Sequence, residues 1–250
     1  MISISGLSHR VGAKPILKDI TLDIAPGGVT ALVGANGAGK STLLNLVARL
    51  IPLQTGRITV SGLDVARTPG RKLARTMAIL PQSQETAPML TVAELVSFGR
   101  YPHHQGRPGR ADLAAIAEAL RTLELEEMAD RPLQSLSGGQ RQRAYLAMIF
   151  AQETEYMLLD EPLNNLDIAA SRSLMKTLRW MAEEHGRTVV IVLHDINYAS
   201  IYADQMVTLT QGRLGPCGAP REILSEQLLR DVFGTDARVI EDGDEILVKV

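Results

Sequence analysis

The 250 residues contain one cysteine, Cys217. An internal disulfide is therefore excluded, and a reducing compartment fits. No apolar run approaches the roughly 18 residues that a membrane span needs. The densest patch, 189–193, has only the length of a buried strand. The start, MISISGLSHRV, has no apolar core behind a basic cluster, so no secretion signal is expected. Neither charge sign dominates: 26 Lys+Arg against 28 Asp+Glu leave −2, with a pI near 6.2. That balance argues against a nucleic-acid binder relying on bulk positive charge. Internal repeats and low-complexity tracts are absent too. With 45% hydrophobic and 22% charged residues, the composition is that of an ordinary globular chain long enough for one large domain.

The N-terminal third reads as short strands. Residues 20–24 (ITLDI) alternate apolar and polar, Pro26-Gly27-Gly28 marks a turn, and 29–33 form a buried strand. Helical spacing follows over 40–50, then strands at 57–60 and 77–80. The middle changes character. Residues 91–98 read as a helix, with Thr91 as N-cap and Glu94 three residues on. Residues 101–110 (YPHHQGRPGR) are a loop by composition, 111–123 an alanine-rich helix, and another helix follows Ser137. Strands at 156–159 and 188–193 then flank a helix at 168–184. A strand at 206–209 follows, and strands near Val239 and at 246–250 close the chain. This alternation predicts an α/β fold with a mostly parallel central sheet and a helical insert over about 86–154.

Two glycine-rich stretches carry chemistry. Gly34-Ala35-Asn36-Gly37-Ala38-Gly39-Lys40-Ser41 fits G-x-x-x-x-G-K-[ST] between a strand and a helix. Backbone N–H groups there must face phosphate oxygens, which needs glycine where a side chain would block. The helix N-terminus adds positive potential. Lys40 can reach the β- and γ-phosphates, Ser41 can ligate Mg²⁺, and Thr42 follows in the same turn. Chance would produce the four fixed positions in roughly one such chain in a hundred, before the strand–helix context is required. The second stretch, Leu136-Ser137-Gly138-Gly139-Gln140, opens a helix with Ser137 as N-cap and two glycines that leave its amides open to an anion. A third feature is the apolar strand that ends in Asp160-Glu161-Pro162. Asp160 would hold Mg²⁺, directly or through water, and Glu161 would take a proton from the attacking water.

Together these residues make the chain resemble the ATP-binding subunit of an ABC transporter over about residues 2–238, leaving 239–250 as a C-terminal strand segment. The resemblance implies a P-loop NTPase core, about 2–85 and 155–238, with an N-terminal antiparallel β part and the helical insert. It also implies further stations. Gln82, after a strand, would sense Mg²⁺, water and the membrane partner. Asp167, in the loop after the acidic strand, would serve the nucleotide site. His194 would contact the γ-phosphate. The implied cofactors are ATP and Mg²⁺. Two copies would pair head to tail, each ATP lying between the cradle of one chain and Ser137–Gln140 of the other, and drive integral membrane permease subunits. Val11 departs from the pattern, since the family usually has an aromatic residue there to stack on adenine; loose base selectivity is the expectation.

Finer stretches resemble importers of ferric siderophores, haem and cobalamin: FGRYPH at 98–103, GGQRQRAYLAMIFAQ at 138–152 and DEPLNNLD at 160–167. Asn164-Asn165, with His194-Asp195-Ile196-Asn197, looks most like subunits serving ferric-siderophore permeases. Such a subunit would sit peripherally on the cytoplasmic face of the inner membrane, with a separate siderophore-binding protein and no nucleic acid as partner. Haem or cobalamin import, or a non-transport ABC ATPase, are the alternatives. His103-His104, with no nearby Cys, Asp or Glu, make a poor metal site. Leu90, Leu95 and Phe98 suit either core packing or a permease contact. The acidic run 241–245 reads as a solvated turn.

Overall fold

The apolar runs of the sequence become neighbouring parallel strands. The computed structural model describes residues 1–82, 90–243 and 245–249. Position 86, the expected start of the insert, and Val250 lie outside them. In chain order the strands are β1 (Ile2–Val11), β2 (Lys14–Ile24), β3 (Gly28–Val33), β4 (Arg57–Val60), β5 (Leu63–Asp64) and β6 (Met77–Leu80). They continue with β7 (Tyr156–Asp160), β8 (Thr188–Val192), β9 (Gln205–Thr210), β10 (Arg213–Gly218), β11 (Arg238–Asp242) and β12 (Glu245–Lys249). The six-stranded sheet has the order β10-β9-β3-β8-β7-β6, parallel except for β10. A four-stranded antiparallel sheet, β2-β1-β4-β5, and the β11–β12 hairpin complete the β-structure of the described residues.

Central strands alternate between two cores. Val29, Ala31 and Val33 face one, with Met157, Leu159, Val189 and Ile191; Leu32, Leu158, Val190 and Val192 face the other. A strand buried on both faces must be apolar throughout, so these segments read as continuous runs rather than alternating ones. The first core takes in the helices Val92–Phe98, Arg110–Thr122, Gly138–Ala151 and Ile168–Glu184. The second fills the space between the antiparallel sheet and the helix Lys40–Val47.

Helix starts follow their caps. Thr91 Oγ1 accepts from Glu94 N at 3.2 Å while Glu94 Oε2 accepts from Thr91 N at 2.8 Å, the expected reciprocal pair. Buried Arg100 ties the helical segment together. Its Nε donates to Asp112 Oδ1 at 3.1 Å, and its Nη1 donates to Ala151 O at 2.8 Å and Glu153 Oε2 at 2.5 Å.

Several expectations need correction. Residues 101–104 are not loop but a one-turn helix, Tyr101–His104. Pro102 is tolerated in a first turn, where its missing N–H has no partner to lose. Arg71 and Arg75 both donate to the carbonyls of Pro102 and His103, neutralising the turn's C-terminal end. The helix expected over 40–50 ends at Val47. The expected strand at 20–24 is the end of the longer β2, and β1 precedes it, with irregular register around Gly6. Leu95 is buried and Leu90 packs against the core, but Phe98 is 52% exposed.

Candidate active site

Parallel strands gather four loops at one edge. In the order β3-β8-β7-β6, the carboxyl ends lead respectively into Gly34, His194, Glu161 and Gln82. Register keeps them level: Asp160 pairs with Val192, Leu159 with Leu80, and Val192 with Leu32. Residues far apart in sequence thus become neighbours where open α/β sheets bind ligands.

The first loop is shaped by its glycines. Gly34 has φ +147°, and a Cβ there would stand 2.2 Å from Leu209 O, so no side chain fits. Gly39, the N-cap of Lys40–Val47, has φ +104°, a left-handed value that favours glycine. Ala35, Asn36 and Gly37 are exposed, whereas Ala38 is buried and Thr42 half-buried in the helix's first turn. Buried Lys40 curls back along the loop, and its Nζ donates to Gly34 O at 2.8 Å and Ala35 O at 3.1 Å. An ammonium held inside this ring of backbone fits a polyphosphate threading the loop. Burial pushes the Lys40 ammonium below its ordinary range, although the Glu161 and Asp160 carboxylates oppose that shift.

Ser41 Oγ donates to Asp160 Oδ1 at 2.7 Å. Asp160 is buried, and burial lifts its carboxyl above the usual carboxylate range. A hydroxyl and a carboxylate side by side are the hard oxygen donors that Mg²⁺ takes beside a bound phosphate. Glu161 follows with a left-handed backbone, φ +52°, which is uncommon outside glycine and concentrates at functional sites. Its side chain is 9% exposed and receives three nitrogens. Gln82 Nε2 donates to Oε2 at 2.6 Å, Asn164 Nδ2 donates to Oε2 at 2.6 Å, and His194 Nε2 lies 2.6 Å from Oε1. Gln82, Glu161 and His194, which lie on three separate loops, meet here. Asn164 belongs to the quoted DEPLNNLD stretch, where the only signal is an amide three residues after Glu161.

Ser137–Gln140 stands apart. Ser137 Oγ accepts from Gln140 N at 3.3 Å and Gln140 Oε1 accepts from Ser137 N at 3.0 Å, capping the helix Gly138–Ala151. Ser137, Gly138, Gly139 and Gln140 line a cleft of about 600 Å³. Asp167 lines the same cleft and caps Ile168–Glu184 through Ala170 N at 2.7 Å. Among the described residues no hydrogen bond joins Ser137–Gln140 to the loop at 34–41. Val11, at the β1–β2 turn, is 63% exposed and presents an aliphatic surface.

A family model, described as ABC transporter, matches residues 17–164. The chain belongs to the ABC transporter family. It is similar to the petrobactin import ATP-binding protein YclP of Bacillus subtilis, with 43% identity covering 93% of this chain and 92% of the relative. It is 38% identical to the iron(3+)-hydroxamate import ATP-binding protein FhuC of the same organism, covering 96% of this chain and 90% of that one. Among solved structures, an ABC transporter in an inward-facing conformation superposes with TM-score 0.84 at 26% identity, covering 99% of this chain and 95% of that one. A bacterial ABC transporter cassette solved as a dimer gives TM-score 0.78 at 27% identity, covering 88% and 99%. The subunit is therefore an ATP-binding ATPase coupled to transport. No helix among the described residues is long and apolar enough to cross a membrane.

Nucleotide binding by such a subunit should depend on the buried ammonium. Lys40→Ala is expected to weaken ATP binding at least about tenfold, the scale of a lost hydrogen bond to a charged group. Equilibrium titration with a fluorescent ATP analogue reads this directly. Unchanged affinity would contradict the assignment of the cradle.

Proposed function

We propose that the chain is the ATP-hydrolysing subunit of a bacterial importer for ferric siderophores. The observation that carries the ATPase half is the carboxyl edge of the sheet, where Lys40 curls back on Gly34 and Ala35, Ser41 bonds Asp160, and Gln82 and His194 both meet Glu161. The loop at 34–41, with Thr42, takes the phosphates. Ser41 and Asp160, with Gln82, would hold Mg²⁺, which when bound would supply neutralisation of phosphate charge. Glu161 accepts the proton of the attacking water, and His194 meets the γ-phosphate.

Each chain also carries a second anion-facing surface, the Ser137–Gln140 helix start with Asp167, on a separate cleft. This supports a head-to-tail dimer in which each ATP touches the cradle of one copy and the Ser137 stretch of the other. The γ-phosphate would then hold the copies together through charge-assisted hydrogen bonds, and its loss would release them. The motion drives integral membrane permease subunits from the cytoplasmic face, and a siderophore-binding protein delivers cargo outside. The cargo reading rests on the stretches at 98–103, 138–152 and 160–167, and on relatives named for petrobactin and iron(3+)-hydroxamate import.

Uptake of labelled ferric siderophores, haem and cobalamin, comparing cells carrying wild type and Glu161→Gln, tests this. Loss of ferric-siderophore uptake alone is the expected result. Loss confined to haem or cobalamin moves the cargo within the branch. Unchanged uptake of all three overturns the importer reading in favour of a non-transport ABC ATPase.

A further inference from the structure

Asn164 lies in a turn that is fixed independently of the other loops. Pro162 presets φ for the turn's first inner position, and Asn164 N donates to Glu161 O at 3.2 Å to close it. Asn165, with φ +63°, then redirects the chain, and Leu166 N reaches Leu163 O at 3.2 Å. The geometry brings Asn164 Nδ2 to 2.6 Å from Glu161 Oε2.

Three donors surround the carboxylate, and they differ in origin. Gln82 arrives beyond β6 and His194 beyond β8, so both contacts depend on separate loops. Asn164 shares its turn with Glu161. Its contact is made within the turn itself and needs no other loop. The left-handed backbone of Glu161 also means that its side chain is directed by surroundings rather than by an ordinary strand end. A primary amide is a suitable holder. It donates to the carboxylate without bringing a positive charge that would ion-pair with it and lower its basicity.

We infer that Asn164 is a positioning residue for Glu161. It anchors Oε2, so that Oε1 stays turned toward His194 and the water to be deprotonated. This rests on the reading of Glu161 as the base.

The test is ATP hydrolysis by the purified full chain carrying Asn164→Ala, Asn164→Asp or Asn164→Ser. Asp matches Asn in size and in preference for turns, but it places an acceptor where the donor stood. Ser also forms turns but is too short to span to Oε2. Asn164→Ala is expected to lower kcat about tenfold, the scale of one hydrogen bond to an ionised group, with the KM for ATP within about twofold. Asn164→Asp should lose at least as much, and Asn164→Ser should follow Ala. A purely structural turn residue would instead tolerate Asp and Ser. Wild-type kcat in Asn164→Asp or Asn164→Ala, or a raised KM with unchanged kcat, overturns the inference. ATP titration of each variant shows that it is folded, which the exposed position of Asn164 favours. Glu161→Gln runs alongside. Normal turnover there removes the base assignment itself, whereas a dead Glu161→Gln with unaffected Asn164 variants removes only this inference.

Discussion

Glu161→Gln should bind ATP with near wild-type affinity and hydrolyse it about 10²- to 10⁴-fold more slowly, the range typical of a lost general base. Among the described residues the side chain makes no hydrogen bond to the loop at 34–41; its partners there are Gln82, Asn164 and His194. Replacing one oxygen by NH₂ changes almost no volume, so Lys40 and the glycines keep their places. What disappears is an acceptor of matched basicity for the water proton. The variant should therefore halt after binding, and a state that forms with ATP and dissolves on hydrolysis should accumulate. Analytical ultracentrifugation with MgATP should find a stable dimer for Glu161→Gln and a transient one for wild type. Turnover within about threefold of wild type would remove Glu161 from the proton transfer.

Much of this site is legible in the sequence because its chemistry is local. The phosphate loop needs glycines at fixed offsets, and Gly34 packs so closely on Leu209 O that no substitute fits. The helix at 168–184 has the expected bounds because Asp167 supplies its cap and an apolar stripe of Leu174, Leu178 and Met181 marks its buried face. Other features depend on contacts that spacing does not reveal. The turn Tyr101–His104 is helical because Arg71 and Arg75, about thirty residues earlier, hold its carbonyls. β1 escapes notice because Gly6 interrupts its alternation and shifts the register with β2. Motif reading assigns Asp167 to the nucleotide without saying at which surface. Its cleft with Ser137 and Gln140 is a product of packing between two helix starts. Asn164 stands out in DEPLNNLD only as a mark of the importer branch, and its contact with Glu161 shows only once the turn is folded.

Ser137→Arg should leave ATP affinity within about threefold of wild type while reducing hydrolysis to background. In one chain Ser137 lies on a cleft that the loop at 34–41, proposed to take the phosphates, does not line, so a change there has no direct route to nucleotide binding. The fold should tolerate it. Ser137 is exposed, and loss of its cap to Gln140 N costs about 1 kcal/mol, small against a typical stability of about 5–15 kcal/mol. The guanidinium would instead occupy the cleft beside Asp167, where the proposed head-to-tail pair would bring the γ-phosphate held by the opposite copy. ATP-dependent dimerisation should fail in Ser137→Arg alone, and equally in Lys40→Ala alone. Mixing the two is the decisive arrangement. A head-to-tail pair then joins the intact cradle of the Ser137→Arg chain to the intact Ser137 stretch of the Lys40→Ala chain, while both defects collect in the other site. The mixture should regain a dimer that neither variant forms by itself, read by ultracentrifugation with MgATP. A mixture that behaves as the sum of two monomers would sink the head-to-tail arrangement. Loss of ATP binding by Ser137→Arg alone would place Ser137 in its own chain's site.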